Sequence, residues 1–203
     1  MAHTVIALGR QYGSNGRKIA QELAKRLNIP YYDKNLIYLA SESTDIPPDV
    51  LAKVDEKKAS DWRRPVDDPY QMQHRFRFYP MNDLLFETQA KIIRELAEKE
   101  DCIVIGRCAD YILKEHPGCC RVFIYAPYDA RVKNVIERES LPMEKVEELI
   151  REVDKQRRTY YNYYTDAKWG EKEYYDICLD SSKCTIDQAV DLLEVVFRNR
   201  QKK

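Results

Sequence analysis

Residues 9–20 read GRQYGSNGRKIA and follow directly on TVIAL, residues 4–8. The β-branched, apolar TVIAL predicts a buried first strand. RKIAQELAKRL, 17–27, puts Ile19, Leu23 and Leu27 on one face at helical spacing, with Asn28 as its stop. Between strand and helix, Gly13 and Gly16 allow a tight turn that aims backbone N–H groups inward. The helix adds the positive end of its dipole, so the whole predicts an anion site. A loop of the form GxxxxGK[ST] would add a Lys for nucleotide phosphates and a hydroxyl for Mg²⁺. That pattern fails here. Aligned through the helix, Gly16 stands at the Lys position and Arg17 at the hydroxyl. Aligned through Gly16, Arg17 and Lys18 do. Either way the cations at hand are Arg10, Arg17 and Lys18.

Outward from the loop, apolar runs alternate with helical patterns. IPYYD (29–33), CIVI (102–105), RVFIYA (121–126) and YDICLD (175–180) predict strands. KNLIYLASE, IPPDVLAKVDEKK, ADYILKEH, DARVKNVIERE, a long stretch from Met143 to about Trp169, and TIDQAVDLLEVVFRNR predict helices. So does NDLLFETQAKIIRELAEKE, with Asn82 as its N-cap. Residues 59–81, with three prolines and interleaved aromatic and basic residues, predict an irregular lobe or lid. The alternation implies an α/β fold: a mostly parallel sheet with helices on both faces, in three layers. Ligands in such sheets bind beyond the carboxyl ends of the strands. Gly9–Lys18, Tyr32–Lys34 and Gly106–Arg107 all fall there.

Bulk properties narrow the function. The 203 residues suit one domain. Thirty-four basic residues balance thirty-four acidic ones, so no global charge favours nucleic acid or an anionic membrane. RRPVDDPYQMQHRFRF, 63–78, has the mixture of an RNA-binding surface, but no recognised module accompanies it. Mean hydropathy is −0.64 and no apolar run reaches a membrane span. The six cysteines make no CxxC pair and read as core residues in a reducing cytoplasm. The three histidines are scattered, so no metal cluster of side chains is expected.

Six segments in order, GRQYGSNGRKIAQELAKRL, YYDKNLI, IVIGRCADYIL, RVFIYAPYDARV, DKQRRTYYNYYT and YDICLDSSK, resemble the cytidylate kinase-like family, relatives of the P-loop nucleoside monophosphate kinases. The resemblance covers nearly the whole chain and is weakest over 44–81. It implies one P-loop kinase domain over 1–203, with an acceptor-binding lobe at about 34–81 and a helical lid at about 142–170. It implies ATP with Mg²⁺, phosphates held by Arg10, Gly13, Ser14, Asn15, Gly16, Arg17 and Lys18, and an acceptor held by Asp33, Lys34, Arg107 and Asp110. Arg131, Asp154, Arg157, Arg158 and Tyr161 then belong to the lid, and Lys18, Arg107 and Arg157 to catalysis. The family's own loop resembles GSGGR, so the missing Lys is a family trait. Where the related cytidylate kinases carry a small hydroxyl, a basic residue and an Asp, this chain has Lys34, Leu39 and Cys108. That disfavours ordinary CMP as acceptor.

The reading is an ATP-dependent kinase of a small phosphorylated acceptor, such as a nucleoside monophosphate. The alternative is a nucleotide- or anion-binding protein with little transfer. A third option is a scaffold or homodimer built on the tyrosines at 160, 161, 163 and 164. Asp33 has its own plainer role available, as N-cap of KNLIYL.

Overall fold

The computed structural model describes residues 2–57 and 81–201. Five strands form one parallel sheet: β1 (Val5–Arg10), β2 (Tyr31–Tyr32), β3 (Cys102–Ile105), β4 (Cys119–Tyr125) and β5 (Ile177–Asp180). Their order is β2-β3-β1-β4-β5, with Val5 in register with both Cys102 and Cys119. The eight helices described are α1 (Gly16–Leu27), α2 (Leu36–Thr44), α3 (Pro48–Ala52), α4 (Met81–Lys99), α5 (Ala109–Ile112), α6 (Tyr128–Glu139), α7 (Met143–Thr165) and α8 (Ile186–Arg200).

The period of two along the strands builds two cores. Val5, Ala7, Cys102 and Val104 point to one face, against Leu36, Leu51, Leu85 and Ile93 of α2–α4. Ile6, Leu8, Ile103, Ile105, Val122 and Ile124 point to the other, against Ile19 and Leu23 of α1 and Val190, Leu193 and Phe197 of α8. This is the three-layer α/β fold read from the sequence.

Several boundaries differ from the reading. Asn82 does not cap α4. It lies inside the helix, and its amide donates to the carbonyls of Lys57 (2.9 Å) and Val54 (3.4 Å), tying the helix to the turn after α3. Asp33 does not cap α2; Asn35 precedes the helix, and the Asp33 carboxylate turns toward arginines. IPPDVLAKVDEKK is helical only to Ala52, because Asp55 and Glu56 are drawn out of helical register into the same arginines. ADYILKEH is helical over four residues, and the long helix ends at Thr165, where Asp166 adopts φ +51°.

Tyr160 and Tyr161 are buried, and Tyr164 stacks on Phe86 (4.1 Å between centroids, 15° between planes) and donates to Asp83. Three of the four tyrosines thus join α7 to its own chain, which removes them from a scaffold surface. Cys102, Cys108, Cys119 and Cys120 are buried as expected, while Cys178 is exposed. RRPVDDPYQMQHRFRF and most of the irregular segment 59–81 lie outside the described residues. Among the described residues, no helix is long and apolar enough to cross a membrane.

Candidate active site

The turn between β1 and α1 is held from three sides. Gly13 takes φ +80° and Asn15 φ +57°, which bends the chain into the helix. The Tyr12 N–H donates to Asp154 of α7 (2.8 Å), and the Tyr12 carbonyl accepts from Arg131 of α6 (3.3 Å). The Gly13 carbonyl accepts from Asn134 (2.8 Å), and that of Ser14 from the Ser181 hydroxyl after β5 (2.7 Å). With its carbonyls directed to these partners, the loop leaves the start of α1 uncapped by any side chain. The first N–H groups of a helix have no acceptor within it, so this end can receive an anion. Beside it opens a pocket of about 350 Å³, lined by Asn15, Ile19, Asn134, Ser181, Ser182 and Thr185 among others.

Around the end of β1, four guanidinium groups converge. Arg107, buried, donates to Asp33 (2.5 Å), to Asp55 (2.7 Å) and to the Ile105 carbonyl (3.1 Å). Arg10, also buried, donates to Glu56 (3.1 Å) and lies 3.7 Å from Asp33. Arg17 reaches Asp33 from the exposed start of α1 (Nε to Oδ2, 2.6 Å). Arg157 of α7 donates to the Arg10 carbonyl (3.2 Å). Its Nε is buried, lies 3.9 Å from Glu56, and has no hydrogen-bond partner among the described residues. Burial and the neighbouring Arg10 push the Arg157 guanidinium down to about 10. Burial pushes the Asp33 carboxyl up, but Arg10, Arg107 and Arg17 outweigh it, so Asp33 stays ionised below the usual carboxylate range. The close approach needs Gly106, at φ +73°: a Cβ there would fall 2.1 Å from Arg10 Nη1 and 2.5 Å from Glu56 Oε1.

Asp110 forms the deep end of this cleft, with Cys108, Tyr161 and Tyr175. The Tyr161 hydroxyl donates to it at 2.6 Å, yet burial pushes its carboxyl up to about 6. A carboxyl raised above its unfolded value stabilises the fold at low pH and loses that contribution as pH rises through its folded value. Asp110→Asn removes the charge and keeps an acceptor for Tyr161. It is expected to be more stable than the wild type by about 3 kcal/mol at pH 7.5, with the difference mostly gone by about pH 4. Urea unfolding of both proteins across this range checks it. An Asn variant no more stable at pH 7.5 would mean that Asp110 is not held up by burial.

Arg10, Arg17, Asp33, Arg107 and Arg157 thus form one network, with Asp110 and Tyr161 at its deep end. Arg131 and Asp154 pair with each other at 2.5 Å and grip the loop. Lys18, Lys34 and Arg158 are exposed and join none of the ion pairs seen among the described residues. Asp55, Glu56, Tyr12, Asn134 and Ser181 escaped the sequence reading. Asp55 and Glu56 read as the tail of a helix, and the others contribute backbone or single hydrogen bonds that no motif marks. Among the described residues no group of three His, Cys, Asp or Glu could hold a metal ion.

Residues 5–183 match the model of the cytidylate kinase-like family. A cytidylate kinase of Methanosarcina barkeri (strain Fusaro / DSM 804) is 32% identical over 122 residues, which are 58% of this chain; the chain spans 65% of that relative's length. A crystal structure of an uncharacterized protein from Eubacterium ventriosum ATCC 27560 is 28% identical, with a TM-score of 0.72, over 97% of this chain and 99% of that one. Shikimate kinase from Bacteroides thetaiotaomicron shares the fold at 13% identity, with a TM-score of 0.53 over 96% of this chain and 98% of that one.

Proposed function

Because the chain belongs to the cytidylate kinase-like family, we propose that it is an ATP-dependent phosphotransferase whose acceptor is a nucleoside monophosphate. The observation that carries this is the convergence of Arg10, Arg107 and Arg157 beside the uncapped start of α1. Two anion seats then face each other across the end of β1. The loop amides with Arg17 and Lys18 take the donor's phosphates, and the adjacent pocket takes its base. The arginine group takes the acceptor's phosphate. Phosphoryl transfer needs in-line placement and neutralised equatorial charge more than covalent help from the protein. Guanidinium groups on both sides of the transfer path fit that need.

Mg²⁺, expected from the family resemblance, finds no ready seat in the side chains around the loop. Asp33 is enclosed by three arginines, and the Ser14 hydroxyl donates to the Gln11 carbonyl (2.8 Å). The exposure of Lys18 keeps a second reading in play, binding of nucleotide without efficient transfer.

The acceptor in this reading is not CMP read as the related cytidylate kinases read it. Leu39, at the place of their basic residue, packs against the core, and Cys108 is buried with φ +55°. A coupled ADP-release assay with ATP, with and without Mg²⁺, and with CMP, dCMP, UMP and AMP, tests both points. Turnover with one of the monophosphates supports the reading. Nucleotide-dependent stabilisation, about 2.7 kcal/mol at 100 times Kd, without ADP release from any of them supports binding alone. CMP clearly ahead of the rest, at about 10⁴ M⁻¹s⁻¹ or more, would refute the view of the acceptor.

Arg157→Ala is expected to weaken acceptor binding about tenfold, the lower range for one lost charge-assisted contact. Some stability should be lost as well, because Arg157 donates to the Arg10 carbonyl and lies 3.9 Å from the Glu56 carboxylate. Titration calorimetry and urea unfolding on the same preparation separate the two effects. Unchanged affinity would remove Arg157 from the site.

A further inference from the structure

The arginine group already holds anions, and they are the chain's own. Glu56 lies in the turn after α3 at φ +53°, its carboxylate 3.1 Å from Arg10 Nη1 and 3.9 Å from Arg157 Nε. It rests directly over the strand-end glycine, since a Cβ on Gly106 would meet it at 2.5 Å. Asp55 beside it takes Arg107 at 2.7 Å. Burial pushes the Glu56 carboxyl up, but Arg10, Arg107 and Arg157 outweigh it and hold it ionised far below the usual carboxylate range. Among the described residues four cations, Arg10, Arg17, Arg107 and Arg157, therefore face three carboxylates, Asp33, Asp55 and Glu56, with the more exposed Arg17 spent on Asp33. A dianionic phosphate added to this set would turn its charge negative in a buried cleft, and it would have to meet Arg10 and Arg157 where the Glu56 carboxylate already lies. A carboxylate that occupies these contacts must therefore move before a phosphate can take them. Asp33 is fixed by Arg10, Arg17 and Arg107 together, next to β2. Glu56 sits on a turn in a backbone conformation that its side chain disfavours, and it covers the Arg157 Nε without giving it a hydrogen bond.

We propose that Glu56 is the built-in counter-anion of the acceptor seat: it holds Arg10, Arg107 and Arg157 in place while the seat is empty and is exchanged for the acceptor's phosphate, moving the turn 53–57 outward. This rests on the reading of that seat given above. It makes Glu56 a specificity-determining residue. An acceptor bearing a phosphate supplies what Glu56 supplied, whereas a neutral analogue leaves the arginines without an anion. It also places part of the acceptor's binding energy in the displacement of the turn. Glu56→Gln, which keeps size and hydrogen bonding but not charge, is therefore a gain-of-affinity change.

The test uses the full chain with inorganic phosphate and with AMP and CMP as probes. Glu56→Gln is expected to bind at least one of these roughly tenfold more tightly than the wild type, the scale of one charge-assisted contact. In the wild type, hydrogen exchange of the amides at 53–57 is expected to speed up when that probe saturates the protein. A plain long-range charge effect would tighten binding and leave exchange at 53–57 unchanged or slower, and that result overturns the proposal. Equal or weaker binding to Glu56→Gln overturns it too, with the reading of the seat intact as long as a probe binds. If none of the three probes binds either protein, the seat is not an anion seat and both readings fall. Should Glu56→Gln not fold, the exchange measurement on the wild type decides alone.

Discussion

Arg107→Met is expected to lower kcat/KM about 100-fold or more and to destabilise the fold by about 3 kcal/mol. The two losses have different origins. Among the described residues, Arg107 is one of the most buried charged groups, and Asp55 has no second arginine within ion-pair distance. Removing the guanidinium strands that carboxylate, and breaking one side of a buried pair typically costs more than the pair contributes. Asp33 keeps Arg10 and Arg17, which sets the estimate at the lower end of the usual range. The loss of turnover follows from the proposed acceptor seat, where Arg107 meets the acceptor's phosphate. The acid limb supplies a second check. A carboxylate whose folded value is depressed contributes stability above its unfolded value and loses it as pH falls through the folded one. With Arg107 gone the Asp33 carboxyl is depressed less, so acid unfolding of the variant should begin at higher pH. Urea unfolding at neutral pH, an acid titration followed by circular dichroism and steady-state kinetics make up the measurement. Wild-type stability with lost turnover would make Arg107 a ligand contact alone. Lost stability with intact turnover in the folded fraction would make it purely structural.

The sequence carried the fold well and half of the site. TVIAL, CIVI and RVFIYA are legible because a strand buried on both faces must be apolar throughout, and the intervening helices show their buried stripe. Arg10, Asp33 and Arg107 are legible because each lies at the carboxyl end of a parallel strand, where topology brings side chains together whatever the intervening sequence. Asp55 and Glu56 are not. They come from a turn whose position depends on where α3 stops, and α3 stops where tertiary ion pairs overrule helical propensity. Arg131 and Asp154 were each marked by the family resemblance as lid residues, but neither their pairing nor what they grip was legible, since their shared partner is the backbone of Tyr12 and carries no side-chain signature. The cue for Glu56 was charge balance. The sequence reading gathered arginines into the site and left most of their counter-charges unassigned, and a buried group of that kind must find carboxylates or bind anions.

Asp154→Ala decides between two roles for that pair. The family resemblance places Asp154 and Arg131 in a lid that meets the nucleotide. In the structure Asp154 is buried, accepts the Tyr12 N–H at 2.8 Å and pairs with Arg131 at 2.5 Å. Both its oxygens are thus committed to holding the loop in shape. The variant leaves Arg131 buried without its carboxylate and the Tyr12 N–H without its acceptor. The expected cost is about 3 kcal/mol or more, seen as a lower urea midpoint with unchanged slope. Nucleotide binding should weaken with it, because Gly13 and the start of α1 are placed by that grip. A double variant, Arg131→Met with Asp154→Leu, sharpens the argument. Removing both charges leaves no buried ion uncompensated, so much of the stability should return. The apolar pair cannot accept the Tyr12 N–H or donate to its carbonyl, so the loop stays unheld and nucleotide affinity should not return. Stability and affinity would then come apart in the double variant although they fall together in the single one. If Asp154→Ala instead keeps wild-type stability and loses only turnover, the carboxylate acts on the ligand and the grip seen on Tyr12 is incidental.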